Sequence, residues 1–117
     1  MRNDRKNVIV EKTIDFSLSI IQYCEALEGA RKFVIARQLK RSGTSIGTNV
    51  FETQNAESKA DFIHKMKIAA KEASEPLYWL TLCERSESYQ FDMKLRNDLD
   101  EIIKILSRII ASSKGNI

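Results

Sequence analysis

The histidine and cysteine side chains are the first candidates in this 117-residue chain for metal ligation or nucleophilic chemistry. Di-metal sites in helical bundles use a Glu-x-x-His pair on each of two helices and a further glutamate on each of two others. The nearest match is Asp61-x-x-His64, and His64 is the single histidine, so a second copy of the motif cannot form. Cys24 and Cys83 lack the spacing of metal or redox motifs. The sequence therefore predicts no metal and no cofactor.

Two other patterns resemble reactive sites only superficially. Residues 43–47, GTSIG, lack the G-K-[ST] ending and the preceding strand of a phosphate-binding loop. Glu72 and Glu75, with Glu52 nearby, could form an acid pair, but a solvated face or salt bridges between subunits is the preferred interpretation. Because no catalytic constellation is present, we predict that the protein is not an enzyme and has no small-molecule substrate.

A basic row is the strongest candidate for ligand binding. Five cationic side chains lie between positions 31 and 51, where no acidic residue occurs: Arg31, Lys32, Arg37, Lys40 and Arg41. The last three stand at i, i+3 and i+4, so one helical face presents them together. Such a row can neutralise phosphates, the main source of sequence-independent affinity for nucleic acids. The alternative is a solvated face, or pairing with acids of another helix or subunit.

A second stripe predicts contact between subunits. Ile68, Glu75, Trp79 and Leu82 lie opposite the main apolar face of their helix. A tryptophan away from the core stripe is typical of interfaces, where aromatic residues are enriched. The first helix also carries more apolar surface than one core stripe uses, and this surplus could belong to the core or meet another subunit. The alternative is that Trp79 covers the edge of the bundle or packs beneath a loop.

The elements that position these residues are helices. Hydrophobic residues make up 43% and charged residues 30% of a chain with net charge +3, one proline and four glycines, a composition that disfavours an all-β fold. Apolar stripes predict helices at about 8–28, 33–55, 59–86 and 92–112 in a single domain, 1–117. Ser58 and Asp92 are predicted N-caps, Gly29 is predicted to end the first helix, and Pro76 to kink the third. Short connections favour an all-α, up-down-up-down antiparallel four-helix bundle.

No apolar stretch suggests export or membrane insertion. The basic start is followed by charges at Glu11, Lys12 and Asp15, which interrupt any signal-peptide core. No run approaches the length that spans a bilayer. We therefore expect a cytoplasmic protein without membrane contact, in which both cysteines are small packing residues.

The stretch from Gln38 to Glu52 keeps a helical apolar pattern but carries small residues where a surface helix carries long ones. A glycine inside a helix costs roughly 1 kcal/mol relative to alanine. Gly43 and Gly47 therefore predict close approach of a neighbouring backbone.

This stretch resembles the signature of bacterial four-helix-bundle proteins first noticed as products of reading frames in intervening sequences of 23S ribosomal RNA genes. The resemblance rests on Gln38, Leu39, Arg41, Ser42, Ser45, Ile46, Asn49, Val50 and Glu52, with further matches at Ser58-Lys59-x-Asp61-Phe62-Ile63, Ile68-Ala69, Glu72-Ala73 and Tyr78-Trp79-Leu80. It covers about residues 14–110, and Pro76 departs from the pattern.

The resemblance implies a bundle that assembles as a ring-like homopentamer. It also implies a relationship to accessory proteins of diversity-generating retroelements, which are similar pentamers that bind RNA and a reverse transcriptase. The resemblance implies no enzymatic activity and no catalytic residues. The motif is interpreted as structural: Ser42, Gly43, Ser45 and Gly47 permit close helix packing, while Asn49 and Glu52 could satisfy polar groups between helices or subunits.

The resulting hypothesis is a non-enzymatic oligomeric scaffold that binds RNA or a ribonucleoprotein through the basic row. The alternative is a protein-interaction adaptor without nucleic-acid contact.

Overall fold

Helices account for nearly all of the chain that the computed structural model describes, which is residues 4–115, with side chains from 8 to 114. They are α1 (Asp4–Gly29), α2 (Phe33–Glu52), α3 (Lys59–Glu72), α4 (Ser74–Arg85) and α5 (Met93–Gly115). A 3₁₀ turn, Thr53–Asn55, follows α2, so the second helix is three residues shorter than the sequence predicts. Within residues 4–115 no strand occurs.

The helices form four antiparallel rods, because α3 and α4 are two halves of one. α1 packs against α2 and α5, and the α3–α4 rod packs against the same two helices from the other side. The rods therefore follow chain order around the bundle and alternate in direction, which confirms the predicted up-down-up-down fold. The molecule is elongated, with extents of 49 × 21 × 19 Å.

The core is built from one stripe of each rod. The fully buried side chains include Phe16 and Ile20 of α1, Leu39 of α2, Leu80 of α4 and Leu99 of α5. Their helical spacing is the one from which the apolar stripes were predicted. Burial of these stripes is the main favourable term in the stability of such a bundle.

The third rod is interrupted at Ala73, three residues before Pro76. Proline has no backbone N–H, so the carbonyl of Glu72 has no donor four residues ahead. Ala73 nevertheless keeps helical dihedral angles, and the N–H of Leu77 donates to its carbonyl at 3.4 Å. The sequence predicts one helix kinked at Pro76; the structure divides it into α3 and α4, while the helical step continues across the junction.

The helix ends depend on local hydrogen bonds. Ser58 Oγ accepts from the N–H of Asp61 at 3.0 Å, and Asp92 Oδ1 accepts from the N–H of Lys94 at 3.0 Å. Both groups act as the predicted N-terminal caps. At the end of α1, Gly29 is still helical, and the residue with positive φ is Arg31, at 66°. α1 thus ends at Gly29, as predicted, and the left-handed residue of the turn that follows is an arginine.

α1 and α2 approach closely at two glycines. A Cβ atom placed on Gly43 would lie 2.9 Å from Cγ2 of Ile20, closer than such atoms pack in proteins. A Cβ atom on Gly47 would lie 3.3 Å from Oγ of Ser17 and 3.5 Å from Cβ of Thr13. Gly43 thus makes room for a buried isoleucine of the facing helix, and Gly47 makes room for small polar side chains.

We expect Gly43→Ala and Gly47→Ala to differ in sign. Overpacking against Ile20 costs typically 1–3 kcal/mol, so Gly43→Ala should lower the free energy of unfolding despite the roughly 1 kcal/mol that alanine adds to helix propensity. At Gly47 the half-buried Ser17 can rotate, and alanine should be neutral or stabilising by up to about 1 kcal/mol. Denaturant unfolding followed by circular dichroism, at one protein concentration, measures both. In an Ile20→Ala background Gly43→Ala should become stabilising; a penalty unchanged in that background would contradict the steric explanation.

Candidate nucleic-acid interface and assembly surfaces

The basic row is divided by the structure into free and paired members. Arg37 is exposed and forms no ion pair with any side chain of residues 8–114. Arg31 is exposed in the turn between α1 and α2. Lys32 Nζ lies 5.0 Å from the centre of the Tyr89 ring, a cation–π contact that leaves the charge at the surface. These three cations surround the N-terminal end of α2.

The other two members are bound to acids of the same chain. Lys40 Nζ lies 3.3 Å from Oε1 of Glu28 on α1. Arg41 Nη2 lies 2.5 Å from Oε2 of Glu75 on α4. Both pairs are partly exposed, so each contributes little to stability and can exchange for another anion. The structure therefore shows pairing with neighbouring helices, the alternative left open by the sequence, for two of the five residues.

The predicted interface stripe runs along the α3–α4 rod, with Ile68 on α3 and with Glu75, Trp79 and Leu82 on α4. Trp79 is half-buried against the core, and its Nε1 donates to Oε2 of Glu75 at 3.3 Å. Ile68 and Leu82 are also half-buried. Their predicted contact with another subunit remains a prediction.

The exposed aromatic residue of this rod is the neighbour, Tyr78, with 57% of its surface accessible. Its ring meets that of Trp79 edge-on, with 5.2 Å between centroids. Sequence reasoning missed Tyr78 as a surface residue because it singled out the tryptophan. The available signal was that Tyr78 belongs to neither apolar stripe of its helix.

The polar residues of the α2 motif bond mainly within their own helix. Ser45 Oγ donates to the carbonyl of Ser42 at 2.9 Å and lies 3.3 Å from a carboxylate oxygen of Glu72 on α3. Asn49 Nδ2 donates to the carbonyl of Ser45 at 3.0 Å. In the described part of the chain Asn49 therefore bonds to its own helix, and its expected contact with another helix or subunit stays a prediction. Ser42 is fully buried, and its hydroxyl has no hydrogen-bond partner among the described residues.

An apolar groove of about 550 Å³ runs between α1 and α2. Its walls are Ile14, Leu18 and Ile21 of α1 and Phe51 of α2. Its floor is formed by small residues: Thr13, Ser17, Thr44, Gly47 and Thr48. Glu52 stands at its rim and is exposed.

The groove walls carry exposed apolar side chains from both helices. Leu18 is 61% and Phe51 59% exposed, and Ile14 is also exposed. Of the residues that widen the apolar face of α1, Ile14 thus lies outside the core, whereas Val10 packs against it. Clustered exposed apolar side chains of this kind mark interaction sites.

Neither a metal-binding cluster nor a membrane-spanning helix is found among the described residues. His64 is exposed, and no group of three or more histidine, cysteine, aspartate or glutamate side chains within residues 8–114 could hold a metal ion. None of the helices in the described range is both long enough and apolar enough to cross a bilayer.

The cysteines are buried thiols. Cys24 and Cys83 are both fully enclosed and unbridged. Burial raises the pKa of the Cys24 thiol from 9.0 to about 12, and burial also raises the pKa of Cys83. Beside them, the Tyr23 hydroxyl donates to the carbonyl of Gln90 at 2.6 Å, and burial raises its pKa as well. Reactive thiols need a lowered pKa and access, so these two are packing residues.

Comparisons with known proteins match this chain to one family model and to one crystal structure. The family model described as 23S rRNA-intervening sequence protein matches residues 5–108. A crystal structure of a protein of unknown function from the S23 ribosomal protein family of Bacteroides thetaiotaomicron is 42% identical, with a TM-score of 0.85. That alignment covers 92% of this chain and 98% of the other. No match is found among curated proteins.

We expect stability to fall at alkaline pH in part because of Cys24. In the unfolded chain this thiol ionises near its ordinary pKa of 9.0, whereas in the fold it keeps its proton until about 12. Its contribution is therefore complete below pH 9 and is lost as pH rises through that window. Unfolding free energies measured at about pH 8 and about pH 10 should differ less in Cys24→Ala than in the unmodified protein. Val50→Ala, a buried truncation without a titrating group, is the control; identical pH dependence in all three proteins would contradict the assignment.

Proposed function

The chain belongs to the 23S rRNA-intervening sequence protein family, and from this premise we propose that it is a non-enzymatic, cytoplasmic helical scaffold that self-associates and binds RNA or a ribonucleoprotein. The proposed RNA-binding surface is the N-terminal part of α2 with the turn before it. The proposed assembly surface includes the exposed apolar residues of α1 and α2, which the resemblance relates to a homopentamer.

The observation that carries the RNA proposal is the group of free cations at the α1–α2 turn. Between Arg31 and Phe51 there is no acidic residue, and Arg31 and Arg37 form no ion pair with the described side chains. Lys32 is held over Tyr89 with its charge unneutralised. Cations free of intramolecular partners can bind phosphate without first breaking a salt bridge.

The paired members, Lys40 and Arg41, extend this surface along α2. Their partners Glu28 and Glu75 are partly exposed, so exchange of a carboxylate for a phosphate costs little. Repetition of the surface in a symmetric assembly would copy these charges into one positive field, which raises the affinity for a long polyanion.

The sharpest test is the salt dependence of RNA binding. Fluorescence anisotropy with a labelled single-stranded RNA should show affinity falling between about 50 and about 200 mM salt, with a log–log slope reduced by roughly 0.7 for each phosphate contact removed. Arg31→Glu/Arg37→Glu should weaken binding about tenfold or more and flatten the slope. The control Lys59→Glu/Arg108→Glu makes the same change in charge at two exposed, unpaired positions away from this end of α2. A flat salt response in the unmodified protein, or equal loss in both variants, would overturn the RNA-binding proposal.

A protein-interaction adaptor is the second candidate, and two observations favour it. Lys40 and Arg41 are neutralised within the chain, and the groove between α1 and α2 is apolar, unlike a phosphate-binding surface. Isolation of the native complex with and without nuclease separates the two functions. Protein partners retained after nuclease treatment, without co-purifying RNA, would support the adaptor.

A further inference from the structure

Two exposed helical stripes, on two rods of the bundle that are not adjacent, have matching spacing and opposite charge. The acidic stripe on α1 is Glu11, Leu18 and Glu25, and the basic stripe on the α3–α4 rod is Lys71, Tyr78 and Arg85. In each stripe a large apolar or aromatic side chain stands midway between two like charges, seven positions from each of them. Seven helical residues span about 10.5 Å, so the two stripes have the same length and the same periodicity.

All six side chains are available to a partner. Leu18 is 61% and Tyr78 57% exposed, and the four charged residues are exposed as well. None of the four charged residues forms an ion pair with any side chain of residues 8–114. Glu28, also on α1, does have a partner in the fold, since it pairs with Lys40.

The basic stripe stays in register across the junction at Ala73. The N–H of Leu77 donates to the carbonyl of Ala73, which preserves the helical step. The buried residues on the opposite side of the rod keep the same seven-residue spacing, at Met66, Ala73 and Leu80. Lys71 and Arg85 therefore flank Tyr78 on one face despite the break.

The groove supplies the space that an aromatic ring needs. Leu18 forms one wall and Phe51 the other, while Gly47 and Thr48 leave the floor low. A tyrosine from another molecule would there bury its ring against both apolar walls.

We propose that the acidic stripe with its groove binds the basic stripe of a second copy of this chain. Tyr78 of one copy enters the groove beside Leu18 of the next, and Glu11 and Glu25 pair with Lys71 and Arg85. Two different surfaces then meet at every contact, so the assembly is head-to-tail and closes into a ring when its rotation permits. This inference rests on the self-association included in the proposed function and specifies its contact.

Charge reversal tests the pairing directly. Glu11→Lys/Glu25→Lys and Lys71→Glu/Arg85→Glu should each raise the dissociation constant of self-association about tenfold or more at low salt, because like charges then face each other at the interface rim. The fourfold variant that carries both reversals should assemble like the unmodified protein. A mixture of the two double variants should also co-assemble. Analytical ultracentrifugation measures all of these, and far-UV circular dichroism verifies folding.

The control is Glu57→Lys/Glu87→Lys, which changes the net charge as much as the first double variant at two exposed acids outside the stripe. It should assemble normally. If the unmodified protein is monomeric, the self-association in the proposed function is wrong. If it assembles and the double variants assemble equally well, only the pairing of these stripes is overturned. Loss of RNA binding without loss of assembly in Lys71→Glu/Arg85→Glu would also overturn it and assign the basic stripe to RNA.

Discussion

The close approach of α1 and α2 fixes the geometry on which the rest of the molecule depends. Ile20 occupies the space where a side chain at position 43 would be, so the two helices pack nearer to each other than long side chains allow. This contact sets the register that brings Lys40 to Glu28. It also leaves the shallow groove above Gly47, because small residues on both helices cannot fill the gap that Leu18 and Phe51 border.

Charge is distributed unevenly around this scaffold, and the distribution separates three roles. Ion pairs between rods, such as Arg41 with Glu75 and Lys12 with Glu101, neutralise charges along the seams. Free cations at the α1–α2 turn supply the proposed phosphate contacts. Free acids on α1 and free cations on the α3–α4 rod lie on two rods that are not adjacent, an arrangement that favours head-to-tail association over face-to-face pairing of identical surfaces.

The sequence predicts what depends on local periodicity and misses what depends on contacts between helices. The apolar stripes, the caps Ser58 and Asp92 and the interruption near Pro76 all follow from residues within a few positions of one another. The partners of Arg41 could not be predicted, since Glu75 is distant in sequence and only the packing of α2 against α4 joins them. The positive φ of Arg31 could not be predicted, because glycine tolerates that conformation more readily than arginine does.

The candidate surfaces show the same limit. The sequence indicated surplus apolar area on α1, but it could not show that Ile14 faces a groove whose opposite wall is Phe51. On α4 it singled out Trp79 by residue type, whereas the fold half-buries the indole and exposes Tyr78. Exposure depends on which neighbour covers a side chain, and one helix considered alone does not contain that information.

Sedimentation velocity of the unmodified protein, at micromolar concentration and physiological salt, tests the central claim that a single chain leaves part of its apolar surface for identical copies. We predict one species several times heavier than a single chain. The Leu18→Asp and Tyr78→Asp variants should instead sediment with the mass of a single chain. A single-chain mass of the unmodified protein across the whole concentration range would contradict the claim.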